Sequence, residues 1–501
     1  MLFLLVGYLL VRLINLSSLP IFNDEAIYLE WGWRSLHLPN NLFYPLYDAK
    51  APLMIWLFGI VHPLFSDPLI AGRLVSVCFG LLAAIGLYFV TKKLFNRRTA
   101  TIAVISYIFI PIFVFFDRQA LMESALGAVN IWSLYFFLKI LEIKKIKAGI
   151  FLGIVLGLGF LIKYSAGIYF LLVIILGLIT TAKLKKQRTV LLMSLMSAGF
   201  ISQWLLAPLY LQPQFWTSFN TNNRYTYSLS QILSGQLAQW GINTVNLFTV
   251  SLWHLTPLIL IAGVVGVWLS FKKLKNKKLN LMTVFWLILS LLLLIIISKN
   301  ISPRYSVSFL VPIVIYSSYL INLLISRKAK INYLIILVIF SLPILITATL
   351  IFKPLTYFNI MNQVTKFSQQ EEYVTSWTSG YGLSQAISFI KDQSQNQLVI
   401  AAVRVDAGIP ESAVLAYFEG SKRIRPIFLD ERIIQDNLNH YNCLQLGHPL
   451  YFVSRDEQLA GLGRFFTEVK RFYKPIGANF IGLYKLKENC SGSSLVLKLP
   501  Q

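Results

Sequence analysis

Apolar side chains in this chain do not alternate with polar ones at helical or strand spacing; they come in long unbroken runs. The runs lie near residues 1–19, 68–91, 99–116, 119–141, 148–162, 165–182, 189–209, 246–271, 280–298, 305–326 and 331–352. About 20 apolar residues, rising about 1.5 Å each as a helix, cross a hydrocarbon core of about 30 Å, so the pattern predicts eleven membrane-spanning helices. The stretch 148–182 would be about 52 Å long as one helix, too long to cross once, and Lys163, Tyr164 and Ser165 divide it into two spans. Residues 1–19 have no basic segment ahead of the apolar run and no small-residue cleavage site, which predicts a retained span and not a signal peptide. Between the first two spans, residues 20–67 form a long loop that contains LMIWLFGIVHPLF at 53–65. That run is too short to cross and suits an interfacial or re-entrant helix.

After residue 352 the pattern changes. QLVIAAVRV (397–405), RIRPIFL (423–429), PLYFVSR (449–455) and FIGLYKLK (480–487) read as strands. GLSQAISFIKDQ (382–393), ESAVLAYFEG (411–420) and GRFFTEVKRFYK (463–474) read as helices. The expected fold is therefore a multi-pass α-helical membrane domain, 1–352, followed by a soluble α/β domain, 353–501. That second part lacks GxGxxG and GxxxxGK[ST], so no nucleotide site is marked. Cys443 and Cys490 are candidates for a disulfide only if the domain faces an oxidising compartment.

Charge orients the spans. Lys and Arg total 45 and Asp and Glu 21, for a net charge of +24. In a soluble protein this excess would suggest nucleic acid. Here, 29 basic and 8 acidic residues fall in 1–352, against 16 and 13 in 353–501, so the excess accompanies the apolar part and the expected partner is membrane lipid. With eleven spans every basic cluster falls on one side: Lys92, Lys93, Arg97 and Arg98; Lys144, Lys145 and Lys147; Lys183, Lys185, Lys186 and Arg188; Lys272, Lys273, Lys275, Lys277 and Lys278; Arg327, Lys328 and Lys330. The positive-inside rule makes that side cytoplasmic, with the N-terminus inside and the C-terminal domain outside a cytoplasmic (inner) membrane. Seven of the eight acids in the membrane part, all but Glu142, sort to the outer side. Carboxylates contribute little to insertion, so outer-face chemistry is one explanation; the other is that short basic loops leave acids no other place.

The candidate chemistry sits at the outer ends of spans. Asp24 and Glu25 follow the first span amid Phe22, Tyr28, Trp31 and Trp33, and a carboxylate there is a candidate general base or metal ligand as well as an ordinary helix cap. Lys50 precedes the short apolar helix and suits a phosphate or a snorkelling contact to headgroups. Asp117 and Arg118 stand at a span mouth, and Glu123 lies one to two turns inside, where a lone carboxylate is costly enough to require a partner, Arg118 being a candidate. Lys163 and Arg304 add two outer cations. Arg73 is near enough to a boundary to snorkel, whereas the deeper Arg12 calls for a protein partner. Loop 210–245, rich in aromatics and amides, reads as an interfacial belt or part of a sugar-binding surface. No cofactor motif is evident, and a divalent metal remains an open expectation.

The ordered segments PIFNDEAIYLEWG, AKAPLMIWLFG, AGRLVSVCFGLL, DRQALMESAL, GFLIKYSAG and SPRYSVSFLVP resemble GT-C glycosyltransferases of family 39, a group with protein O-mannosyltransferases and lipid A aminoarabinose transferases, over roughly residues 1–320. The resemblance implies a GT-C fold and transfer of a hexose or pentose from a polyprenyl-phosphate sugar to a protein, lipid or glycan acceptor. It also implies Asp24 as the acceptor-activating base, Glu25, Glu123 and Asp117 in support, and Lys50, Arg118, Lys163 and Arg304 toward the donor phosphate. The chain departs from the family's KPPL at Lys50, Ala51, Pro52 and Leu53, and its acid, Asp48, stands one residue further from the lysine than usual. By analogy with glycoside chemistry, single displacement would invert the anomeric carbon. A transporter or flippase of a lipid-linked saccharide is the rival expectation; charges at span ends instead of midplane, and no evident inverted repeat, argue against it.

Overall fold

A computed structural model describes residues 2–143, 146–183, 188–221, 224–273, 277–326, 330–365, 367, 369–429, 443–457, 459–487 and 494–496. Cys490, and with it the disulfide expectation, lies outside the described residues, as do Lys144, Lys145, Lys185, Lys186, Lys275, Arg327 and Lys328 of the basic clusters. The chain forms two compact units: Met1–Leu16, Phe43–Ile55 and Arg73–Phe367 make the first; Ser17–Leu42, Trp56–Gly72 and Ser368–Gln501 make the second.

The first unit is a helical bundle of a membrane protein, and helices occur at all eleven expected positions. Among the described residues, six helices are long and apolar enough to cross by themselves, and up to nine spans result if each of three bent pairs counts as one. Those three departures share a cause. Arg97–Phe109 and Pro111–Asp117 meet at 66°, Leu237–His254 and Pro257–Lys272 at 109°, and Pro303–Leu310 and Ile313–Ser326 at 54°. Pro111, Pro257 and Pro312 lie at the three breaks; each lacks an N–H to continue the helix, and at the first two the residue before it leaves the right-handed helical region, Ile110 at ψ 121° and Thr256 at φ +79°. The sharpest break has Thr256 at φ +79° directly before Pro257, so the run 246–271 belongs to two helices and not one.

The first helix is shorter than expected, Leu2–Leu13, about 18 Å. Arg118 ends it: its guanidinium donates to the carbonyls of Arg12, Ile14 and Asn15 at 2.8, 2.7 and 2.6 Å. Arg12 has the protein partner expected of it. Its Nε donates to Asp117 Oδ2 at 3.0 Å, Tyr8 and Tyr107 hydroxyls donate to the same carboxylate, and all four side chains are buried. Arg73 does not snorkel; it is fully buried and donates to Leu16 O at 2.8 Å. Close helix packing rests on small residues, as in Ile146–Ile162, where a Cβ at Gly149 or Gly153 would lie 2.1 or 2.6 Å from carbonyl oxygens of Ser194 and Ala198 on Arg188–Tyr210. At one end of Glu123–Ile143, Glu142 pairs with Lys93.

The second unit holds the α/β domain. Its strands are β1 (Val399–Arg404), β2 (Ile424–Leu429), β3 (Cys443–Gln445), β4 (Leu450–Ser454), β5 (Phe466–Tyr473), β6 (Phe480–Leu486) and β7 (Ser494–Val496). A five-stranded sheet runs β2-β1-β4-β6-β5, parallel in its first three strands and antiparallel in its last two pairings, and β3 pairs with β7 separately. Helices Leu383–Gln393 and Glu411–Phe418 stand where expected. The expected helix 463–474 is instead the edge strand β5. A register shift between Glu468 and Lys470 breaks its period-2 pattern, which makes the apolar spacing resemble a helix, and its exposed charges suit an edge. To this domain the unit adds helix Asn23–His37, packed on Glu411–Phe418.

Candidate functional site

In the first unit three of the four cations expected to face phosphate gather at one place. Glu123 begins its helix, Lys163 follows Ile146–Ile162, and Arg304 lies in the first turn of Pro303–Leu310. Glu123 Oε1 accepts from Lys163 Nζ at 2.8 Å and from Arg304 Nε at 3.0 Å. The carboxylate is 1% exposed, the two cations 23% and 18%, so the acid lies beneath and the cations reach toward water. Glu123 Oε2 is buried with no hydrogen-bond partner among the described residues. Lys50 adjoins the same cluster across two aromatic rings. Two tyrosines connect them. Lys50 Nζ lies 5.7 Å from the Tyr225 ring centroid, Tyr225 is 5.9 Å from Tyr305, and Lys163 Nζ is 5.3 Å from Tyr305.

Local structure explains the convergence. Ala49 at φ +53° ends the short helix Tyr44–Asp48, and Lys50 N–H bonds back to Pro45 O at 3.0 Å, fixing where the lysine leaves the chain. Asp48 touches both Lys50, at 3.8 Å, and Arg224, at 3.4 Å. Thr226 bridges Ser298, and Lys299 N–H donates to Tyr225 O at 2.9 Å, pinning the 225–227 segment. The cluster lies at the end of Glu123–Ile143 opposite the Glu142–Lys93 pair. Lys50, Lys163, Arg304 and Arg224 against Glu123 and Asp48 leave an excess of two positive charges, a ready place for a phosphate monoester.

Two expected members lie elsewhere. Arg118 is not the partner of Glu123; it is buried against the carbonyls that end the first helix. Asp117 is occupied by Arg12, Tyr8 and Tyr107. Arg224, Tyr225 and Tyr305 were not legible as site residues, because nothing in their spacing ties 224–225 and 305 to residues 50 and 163. The aromatic character of 210–245 was the available signal.

The second unit holds Asp24 and Glu25, in the first turn of Asn23–His37, where a helix dipole favours acids. The two carboxylates diverge. Glu25 is fully buried, and its Oε2 accepts Phe22 N–H at 2.9 Å, as a helix cap does. Asp24 is half-buried and its Oδ1 accepts from Asn23 Nδ2 at 3.2 Å. The turn is held on the C-terminal domain: Asn23 N–H donates to Thr378 O at 3.0 Å, Phe22 pairs with Ser379, and the Phe22 ring stacks on Tyr373 at 4.4 Å. Among the described residues no three His, Cys, Asp or Glu side chains converge as a metal site.

Residues 49–206 match the profile of a family described as dolichyl-phosphate-mannose-protein mannosyltransferase. No curated protein matches the chain by sequence. Among solved structures, the chain is similar to ArnT from Cupriavidus metallidurans in the apo state, at 14% identity over 97% of each chain with a TM-score of 0.56. It is similar to the same protein bound to undecaprenyl phosphate, at 13% identity over 96% of this chain and 97% of that one, TM-score 0.54. The Archaeoglobus fulgidus oligosaccharyltransferase in its apo form aligns at 12% identity over 92% of this chain and 70% of that one, TM-score 0.50. At these identities the likeness is one of fold: the chain has the GT-C fold, with a C-terminal strand-containing domain.

Proposed function

We propose that this protein is a membrane glycosyltransferase that moves a sugar from a polyprenyl-phosphate donor to an acceptor hydroxyl or amine on the extracytoplasmic face. The observation that carries it is the grouping of Lys50, Lys163 and Arg304 over the buried Glu123. The fold shared with ArnT, one of whose structures holds undecaprenyl phosphate, and the family profile over 49–206 support the donor class. The sidedness of the basic clusters supports a cytoplasmic N-terminus, an outer C-terminal domain and an inner-membrane location.

In the reaction the acceptor atom attacks the anomeric carbon from the face opposite the phosphate, the C1–O bond breaks with its electrons going to phosphate, and the configuration inverts. A phosphodiester with one negative charge becomes a monoester with two. Fixed cations that meet the added charge lower the barrier, often by more than any other single contribution. Lys50, Lys163 and Arg304 take that role, with Glu123 fixing the last two. Asp24, more open than the capping Glu25, receives the acceptor proton, an effect worth roughly a hundredfold to ten-thousandfold.

Purified protein in detergent, given radiolabelled polyprenyl-phosphate sugar and a panel of protein, lipid and glycan acceptors, should form product without a sealed compartment, which pure transport does not do. Asp24→Asn should abolish transfer while binding the donor normally. Wild-type turnover in that variant would remove Asp24 from the mechanism.

A further inference from the structure

Beside Asp24, within the second unit, lies a group of side chains that transfer chemistry does not account for. The segment from the end of β1 to Glu411–Phe418 carries Asp406, whose Oδ2 accepts from Arg404 at 3.1 Å and from Arg455 at 2.9 Å. Glu411, 2% exposed, lies 3.8 and 3.7 Å from the same guanidiniums, and its Oε2 has no hydrogen-bond partner among the described residues. The Arg455 guanidinium stands 4.6 Å from the centroid of Trp377, whose indole is nonetheless 49% exposed. Lys474 fixes the turn that presents Trp377, donating to Ser376 O and Ser379 O at 2.5 and 2.6 Å.

The group reaches Asp24 through Asn23. Gly408 has φ +112°, and a Cβ there would lie 2.1 Å from Asn23 Oδ1 and 3.3 Å from the Trp377 ring, so only glycine lets this loop press against both. Asn23 in turn donates to Asp24, and its Oδ1 is buried with no hydrogen-bond partner among the described residues. Trp377, Gly408, Asn23 and Asp24 therefore form one continuous contact.

We propose that Trp377, Arg404, Asp406 and Arg455 form a carbohydrate-binding surface that presents a saccharide acceptor to Asp24. This rests on Asp24 being the acceptor-activating base. The chemistry selects a neutral, hydroxyl-rich ligand. Arg404 and Arg455 face Asp406 and Glu411, and the one further cation, Lys474, is turned onto the Ser376 and Ser379 carbonyls, so the group offers no cluster of free cations of the kind an anionic headgroup or phosphate needs. The indole, with Arg455 over one side of its ring, keeps about half of its surface open to the C–H side of a pyranose, while the neighbouring carboxylate and planar guanidiniums receive and donate the hydroxyl hydrogen bonds.

The test is saturation-transfer-difference NMR on the full-length protein in detergent, with methyl α-mannoside, methyl β-galactoside and methyl N-acetyl-β-glucosaminide as probes and a serine-rich peptide as comparator. At least one glycoside should bind the wild type. Trp377→Ala should weaken it about tenfold, Arg404→Ala several-fold, and Trp377→Phe should retain most of the affinity. Asp24→Asn should bind as the wild type does. Absence of glycoside binding, equal binding in Trp377→Ala, or binding of the peptide alone would overturn the proposal. If glycoside binding follows the expected pattern while Asp24→Asn still transfers sugar, the base assignment fails and the surface stands.

Discussion

Glu30, on helix Asn23–His37, and Glu419, at the end of Glu411–Phe418, face each other within the packing of the first-loop helix on the C-terminal domain. Burial pushes Glu30 up to about 7, against the pull of Arg34, whose guanidinium lies 2.6 Å away. Burial and then repulsion from Glu30 push Glu419 up to about 8, with Arg34 opposing.

These shifts make the helix packing pH-sensitive. An acid whose folded value exceeds its ordinary value of 4.5 binds more protons folded than unfolded, so its contribution is complete below about 4.5 and is lost as pH rises through about 7 and 8. Hydrogen exchange over residues 26–36 and 411–418, corrected for intrinsic rates, should be slower at about pH 5.5 than at about pH 8.5. Glu419→Gln should flatten that dependence; an unchanged pH profile would refute the carboxyl pair as its cause.

Glu123 holds both Lys163 and Arg304, at 2.8 and 3.0 Å. Glu123→Ala leaves both cations partly buried and mutually repelling, with an expected loss of about 2–3 kcal/mol, at the low end for broken buried pairs because water reaches the cations. Thermal unfolding in detergent measures this. An unchanged midpoint would mean that solvent screens the pair fully.

Lys50, Arg304 and Arg118 should separate by kinetics. Lys50→Ala and Arg304→Ala should raise the apparent KM for the lipid-linked donor about tenfold or more, with protein yield preserved for Lys50→Ala. Arg118→Ala should instead lower stability, because the carbonyls ending the first helix lose their donors. A purely donor-dependent defect in Arg118→Ala would return that residue to the phosphate site.

Asp117→Ala removes the carboxylate that Arg12, Tyr8 and Tyr107 share and leaves a fully buried guanidinium with carbonyl acceptors but without that counter-charge, an expected cost of about 3–5 kcal/mol. Combining it with Arg12→Met should recover part of that loss, readable as a double-mutant cycle. Strictly additive losses would show that the pair does not act as a unit.

The positions of the bundle helices were written in the sequence because crossing a bilayer demands a length of apolar chain, and length and hydropathy are local properties. So were the cation residue types at the helix ends, and four strands of the C-terminal sheet, which stand out as short runs rich in apolar and β-branched residues. Three span breaks were also present locally as Pro111, Pro257 and Pro312, but apolar composition masked them. The edge strand β5 was misread for another local reason, a bulge that disturbs its period. Which cations share a site was not local at all. Lys50, Lys163, Arg304 and Tyr225 come from distant stretches that only helix packing brings together, while Arg118, equally basic and equally near a span mouth, was spent on the end of the first helix. Sequence supplies charges and the lengths that carry them; tertiary structure decides which carbonyl, carboxylate or open face each charge meets.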